Sequence, residues 1–195
     1  MGIVLKFVQE EFTNTYEEKK SKFIAHITPY DKFDELMKRL RDEHPKGRHF
    51  VYAYRYLNEF DQIVENSSDD GEPKGTSGKP ALAVLAGAGL INSGVIIVRY
   101  FGGIKLGTGG LVRAYGDSVN EVLKKSEFKE YKKLEYRKIK CTYTELSKLE
   151  YLLKQNNIYI KHKDFQNDIV LSLELSLEEW DDLKLKLPLS IKEIK

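Results

Sequence analysis

Ala81-Leu82-Ala83-Val84-Leu85-Ala86-Gly87-Ala88-Gly89-Leu90 opens an uncharged stretch that runs through Ile91-Asn92-Ser93-Gly94 into Val95-Ile96-Ile97-Val98. Read as one helix, residues 81–98 would sit at the lower edge of what spans a bilayer. The texture changes at Asn92-Ser93-Gly94, however. Small residues and leucine precede these turn formers, and a β-branched run follows them. That switch predicts a buried helix, a tight turn and a buried strand, so the stretch belongs to a folded α+β core and no membrane partner is expected.

Working outward, Lys22 to Ile27 reads as a strand with Phe23, Ala25 and Ile27 on one face, ended by Pro29. Asp31 is expected to cap a helix in which Phe33, Leu36, Met37 and Leu40 recur at helical spacing. Pro45 and Gly47 close it. His49 to Leu57 has the Tyr, Val and Phe content of a strand. Asn66 to Gly78 reads as a polar loop. Phe101 to Gly110 reads as a glycine-rich loop. Leu111 to Lys125 reads as a helix with Leu111, Ala114, Tyr115, Val119, Val122 and Leu123 in an apolar stripe.

From about Phe128 the texture turns basic, with Lys129, Lys132, Lys133, Arg137, Lys138 and Lys140 against Glu130 and Glu135. This stretch is expected to join two domains, 1–130 and 131–195, and to enter a strand ending at Tyr143. Thr144 is the expected cap of a helix carrying Leu146, Leu149, Leu152 and Leu153. Strands are expected over residues 158–165 and 169–175. Ser176 and Glu179 form a capping box for a last helix, stopped by Pro188 before a short strand within residues 189–194. The second half thus reads β-α-β-β-α with a possible final strand, the order of a ferredoxin-like split βαβ unit. The first half reads as an α+β layer.

Composition narrows the function classes. The chain has 195 residues, 32 Lys+Arg against 30 Asp+Glu, and a formal net charge of +2. A histone-like binder held by bulk charge is thereby excluded, while a local basic patch is not. A single cysteine, Cys141, permits no intrachain disulfide and no cysteine-based zinc cage. With no export signal recognisable, a reducing, cytoplasmic setting is expected. Lys6 stands where the myristoylation motif wants Ser or Thr.

Two segments stand apart. Asp69-Asp70-Gly71-Glu72-Pro73-Lys74-Gly75-Thr76-Ser77-Gly78-Lys79-Pro80 is one. Arg99-Tyr100-Phe101-Gly102-Gly103-Ile104-Lys105-Leu106-Gly107-Thr108-Gly109-Gly110-Leu111-Val112-Arg113-Ala114-Tyr115 is the other. Gly102, Gly103, Gly107, Gly109 and Gly110 cost chain entropy and need a reason, either positive φ or close approach of the backbone to something else. Exposed amides in such a loop, a helix N-terminus behind them, and Arg99, Lys105 and Arg113 together make an anion site, most naturally for phosphate. Alternatively, the glycines make a tight strand-to-helix crossover. Nucleotide motifs do not match, because Gly87-Ala88-Gly89 is followed by Asn92 where glycine is required, and Gly78-Lys79 by Pro80.

Asp69, Asp70 and Glu72 read as a solvated turn or as partners for nearby Arg and Lys, with Mg²⁺ binding as the alternative. Thr76 and Ser77 are placed to cap the following helix or to donate to a ligand. His26, His44, His49 and His162 form no zinc-protease pattern, and no nucleophile elbow is present. No catalytic residue, metal site or cofactor is therefore assigned. Cys141 is expected in the core. Tyr52, Tyr54 and Tyr56 alternate along a strand face, more in the manner of a packed ladder than of a base-stacking row.

The two segments resemble the IMPACT family in its bacterial YigZ-type branch. Asp69 to Pro73 with Gly75-Thr76, and Arg99 to Gly107 with Gly109 to Tyr115, carry the resemblance. His49 with Ala53-Tyr54 is similar to the family's His-x-x-x-Ala-Tyr strand, and Ser21-Lys22-Phe23 to its N-terminal entry. Phe50 and Val51 depart from the Asn and Cys common there, so no thiol role beside His49 is carried over. The resemblance implies an N-terminal domain like domain 2 of ribosomal protein S5. It implies a C-terminal ferredoxin-like domain like domain V of elongation factor G.

The implied function is that of a non-catalytic protein binding nucleic acid or the ribosome, in translation regulation. The alternatives are a Mg-dependent enzyme or sensor for a small phosphorylated ligand, and a protein-partner module in translational stress control. On the first reading Arg99, Lys105 and Arg113 contact phosphate. Gly102, Gly103, Gly107, Gly109 and Gly110 let the backbone approach it. Asp69, Asp70, Glu72, Lys74, Thr76, His49, Tyr54 and Tyr100 complete the surroundings. A second outcome stays open, in which Arg–carboxylate pairs hold the two loops together.

Overall fold

The computed structural model describes residues 4–194. The chain divides into two compact units, Met1–Tyr131 and Lys132–Lys195.

The first unit contains β1 (Lys6–Phe7), β2 (Phe12–Glu18), β3 (Ser21–Pro29), α1 (Phe33–Glu43), β4 (His49–Leu57), β5 (Ile63–Ser68), α2 (Gly78–Gly87), β6 (Ser93–Tyr100), α3 (Gly107–Lys125) and β7 (Lys129–Glu130). Five of the strands form one sheet in the order β2-β3-β6-β4-β5, antiparallel throughout. Short β1 pairs with β7. Central β6 explains the uncharged run of the sequence. Val95 and Ile97 pack into a core shared with Ala81 and Leu85 of α2 and Ala114, Tyr115 and Val119 of α3. Ile96 and Val98 pack on the opposite face against Phe33, Leu36 and Leu40 of α1. A strand buried on both faces has no polar alternation to show. The predicted helix–turn–strand is present, with Asn92 in the turn at φ +49°, and no helix among the described residues is long and apolar enough to cross a membrane.

The second unit contains β8 (Leu134–Cys141), α4 (Tyr143–Gln155), β9 (Tyr159–Phe165), β10 (Ile169–Ser176), α5 (Leu177–Lys186) and β11 (Lys192–Ile194). Its sheet runs β11-β8-β10-β9, all antiparallel. The core joins Ile139, Cys141, Leu171 and Leu173 of the sheet to Leu149 and Leu153 of α4 and Trp180 and Leu183 of α5. Cys141 is a core residue, as expected.

Four local expectations are corrected. Asp31 lies in a 3-10 turn, Tyr30–Lys32, that leads into α1 without any side-chain cap. Asn66 to Ser68 end strand β5 instead of opening a loop. An edge strand with one neighbour and a wet face needs no apolar rhythm. Thr142, not Thr144, caps α4. Its backbone N–H donates to Glu145 Oε2 at 2.9 Å, and hydrogen bonds from Ser190 and Thr142 pull the Glu145 carboxyl down to about 2. Finally, α3 begins at Gly107, a turn before its first buried side chain. The Ser176–Glu179 box is present, with Ser176 N–H donating to Glu179 Oε2 at 2.8 Å.

Candidate functional site

The acidic loop is organised by hydrogen bonds to its own chain. Asp69 Oδ1 accepts from Ser77 N–H (3.1 Å), the Ser77 hydroxyl (2.7 Å) and Gly78 N–H (2.9 Å), and Oδ2 accepts from Gly75 N–H (2.7 Å). This one carboxylate therefore caps α2 from across the loop, where negative charge also meets the positive end of the helix. Burial pushes the Asp69 carboxyl up, but the donors at Gly75, Ser77 and Gly78 outweigh it and hold the group below its usual range. The expected capping by Thr76 or Ser77 is not found. The Thr76 hydroxyl donates to the Pro73 carbonyl at 2.7 Å, and the Ser77 hydroxyl donates to Asp69.

Asp70, at φ +42°, accepts from Phe50 N–H at 2.6 Å and lies 4.0 Å from Arg41. Its carbonyl accepts from His49 Nδ1 at 2.8 Å. A carbonyl cannot donate, so the proton of neutral His49 sits on Nδ1. Nε2 then faces Glu72 Oε1 at 3.9 Å. Buried Glu72 accepts from Arg99 Nη1 at 2.5 Å and from the Tyr115 hydroxyl at 2.8 Å. Burial first, and then the Glu72 charge, push the Tyr115 phenol far above its usual range. Strand β4 brings His49, β6 brings Arg99 in register with it, and α3 brings Tyr115. The acidic loop drops Glu72 among them.

Arg99 is only 6% exposed, and its guanidinium also lies over Phe23 at 5.5 Å and Phe101 at 5.8 Å. Its charge is committed to Glu72. Among the proposed contacts, Lys105 and Arg113 remain exposed with no ion-pair partner among the described residues, as does Lys74. The structure does not bring Tyr100 and Tyr54 to the loop. Strand alternation turns Tyr100 to the opposite face, where its hydroxyl meets His44 Nδ1 at 2.9 Å. Tyr54 stands in a ladder, 6.0 Å from Tyr52 and 5.0 Å from Tyr30 between ring centroids.

The glycines divide by role. A Cβ on Gly102 would lie 2.0 Å from the Lys20 carbonyl carbon, so here the backbone presses on the β2–β3 turn, and its N–H donates to the Ser21 hydroxyl at 3.2 Å. Gly103 and Gly107 take φ +88° and +71° with no other atoms near the Cβ position. Gly109 is helical and also faces open space, while Gly110 would meet Leu106 at 3.1 Å. The first turn of α3 has neither a side-chain cap nor an acid.

Two features escaped the sequence reading. Lys19 and Lys20 form the β2–β3 turn at φ +45° and +65°, against Gly102. Neither is a customary residue for such a turn, so no local signal marks it. Phe101, Ile104 and Val112 are exposed around the loop. Among the described residues, no three His, Cys, Asp or Glu side chains are grouped to hold a metal ion.

The architecture is a mixed helix–strand protein of two units, with an acidic loop locked to a glycine-rich strand–helix crossover. Comparison with known proteins gives the family. The Impact N-terminal domain matches residues 19–123, and a domain of unknown function (DUF1949) matches residues 139–188. The IMPACT family member YigZ of Escherichia coli is 38% identical over 174 residues, covering 88% of this chain and 85% of that protein. An IMPACT family member of Haemophilus influenzae is 39% identical, covering 82% and 79%. A crystal structure of a hypothetical protein superposes with a TM-score of 0.64 at 33% identity, covering 100% of this chain and 98% of that one. The chain belongs to the IMPACT family, and its close likeness to YigZ places it with the YigZ-type members.

Proposed function

We propose that this protein binds RNA or the ribosome without catalysis, and that the α3 crossover contacts phosphate. The observation that carries the reading is the open first turn of α3. Exposed Gly107, Thr108 and Gly109 offer backbone amides with no cap and no acid, between exposed Lys105 and Arg113. A helix start of this kind favours an anion. Lys19 and Lys20 add charge beside Gly102. Arg99 supports the wall through Glu72 rather than reaching the phosphate itself. Lys74 and the acidic loop border the crossover, and His49 ties that loop to β4.

The element orders support the finer fold reading. They agree with a unit like domain 2 of ribosomal protein S5 followed by a ferredoxin-like unit, the pairing that underlies a role in translation. A cytoplasmic setting accords with the single buried thiol. The alternative of a Mg-dependent phosphoryl site draws no support from the acidic loop, whose carboxylates accept from Ser77, Phe50, Arg99 and Tyr115. A protein-partner module is favoured by a different observation, the exposed Phe101, Ile104 and Val112.

Filter binding with labelled RNA and ribosome co-sedimentation, each at two salt concentrations, test the reading. The wild-type protein binds at low salt, and its affinity falls as salt rises. Lys105→Ala with Arg113→Ala lowers affinity and flattens the salt slope by about 0.7–0.9 per lost phosphate contact. No salt-sensitive binding at low ionic strength overturns it, and capture of a protein that survives nuclease treatment favours the partner module.

A further inference from the structure

We infer that the open face of the second unit's sheet is a separate surface for single-stranded nucleic acid, with Tyr136 and Tyr159 as its stacking platforms. The inference goes beyond the proposed function and uses none of its residues. Helices α4 and α5 cover one face of the sheet. On the other face, β8 shows Tyr136, Lys138 and Lys140 at alternate positions, all exposed. Tyr136 and Tyr159 both pair with Glu174 of β10, one from each side, so the two tyrosines share a row. Two strand spacings separate them, roughly 10 Å.

They are 74% and 79% exposed, and neither ring has an aromatic partner among the described residues. The first unit treats the same residue type differently, stacking Tyr56 on Tyr30 at 4.1 Å and packing its ladder against Phe33. Large aromatic faces left wet on a flat sheet are what unpaired bases stack on.

Charge selects a polyanion as the occupant. Of the acids near this face, Glu174 is matched by Lys161 at 2.8 Å and Asp168 by Lys140 at 2.7 Å, while Asp164 accepts from Gln166 Nε2 at 2.9 Å. Lys138 and Lys192, on neighbouring strands in the rows beyond Tyr136, have no ion-pair partner among the described residues. The surface therefore offers stacking rings beside uncommitted ammonium groups, which suits a strand whose bases and phosphates alternate. A duplex hides its base faces and does not fit.

The test uses the full-length protein and fluorescein-labelled 12-mers of uridine and of thymidine, read by anisotropy at 50 mM salt. Tyr136→Ala with Tyr159→Ala is expected to raise Kd at least tenfold, and Tyr136→Phe with Tyr159→Phe less than twofold, because stacking survives loss of the hydroxyl. Lys138→Ala with Lys192→Ala raises Kd and flattens the salt slope. Thermal melts of all variants are expected to match wild type, since the changed side chains are exposed. Preference between the two oligomers distinguishes RNA from DNA as the natural strand. The double-alanine variant binding both oligomers like wild type, or wild type binding neither, overturns the inference. The Lys105→Ala, Arg113→Ala protein separates the surfaces: its tight oligomer binding is expected to remain, and loss of that binding there but not in the sheet variant overturns this inference while keeping the α3 reading.

Discussion

Gly102 and Gly109 look alike in the sequence and do opposite things. At Gly102 a methyl group collides with the backbone of Lys20. Gly102→Ala is expected to cost about 1–3 kcal/mol in denaturant unfolding, as overpacking does. At Gly109 there is open space and helical backbone, so Gly109→Ala is expected to stabilise by up to about 1 kcal/mol while weakening RNA binding several-fold. Stabilisation with unchanged RNA affinity would show that no ligand needs the bare backbone there. Glu72 gives the complementary case. Glu72→Gln leaves Arg99 charged and buried, which is expected to cost about 3–5 kcal/mol. Adding Arg99→Met removes the stranded charge, so the double variant is expected to unfold at higher denaturant than Glu72→Gln alone. Composition could say that Arg99 and Glu72 were available to pair. It could not say that they do, because the pairing depends on which face of β6 points toward α3.

Elements were legible where two signals agreed. The run through α2 and β6 combines a texture switch with turn residues, and the Ser176 box combines a cap with its glutamate. They were illegible where one strong signal was absent. Strand β5 has no apolar alternation, and the first turn of α3 is made of poor helix formers, so the apolar stripe marks that helix only from Leu111. The α2 cap was hidden for a further reason, since its carboxylate comes from Asp69 rather than from Ser77 beside it. Asp69→Ala is expected to cost about 1–2 kcal/mol through loss of that cap, measured by urea unfolding. Its pH dependence follows from the lowered carboxyl. The unfolded chain takes up the proton first as pH falls, so this contribution is complete above the ordinary Asp value of 3.8 and fades below it as pH drops toward the folded-state value. Asp69→Asn is expected to lose that component of acid sensitivity. An unchanged acid-unfolding profile would place the capping charge elsewhere.

At the scale of the whole molecule, a net charge of +2 gives almost no general attraction to nucleic acid. Any polyanion affinity must then come from local surfaces, and for the two proposed above, one in each unit, covalent linkage has a measurable consequence. When one surface holds a strand, the other meets it at an effective concentration set by the chain between them, reaching millimolar when the span fits. A 12-mer is expected to report one surface at a time, and a strand of 40 nucleotides tests whether a single strand engages both. The longer RNA is expected to bind at least tenfold tighter per molecule, beyond the gain expected from its greater number of sites. Either Lys105→Ala with Arg113→Ala or Tyr136→Ala with Tyr159→Ala is expected to remove that length advantage while leaving the other unit's 12-mer binding in place. Length dependence that persists in both variants would mean that the two surfaces never act on the same strand.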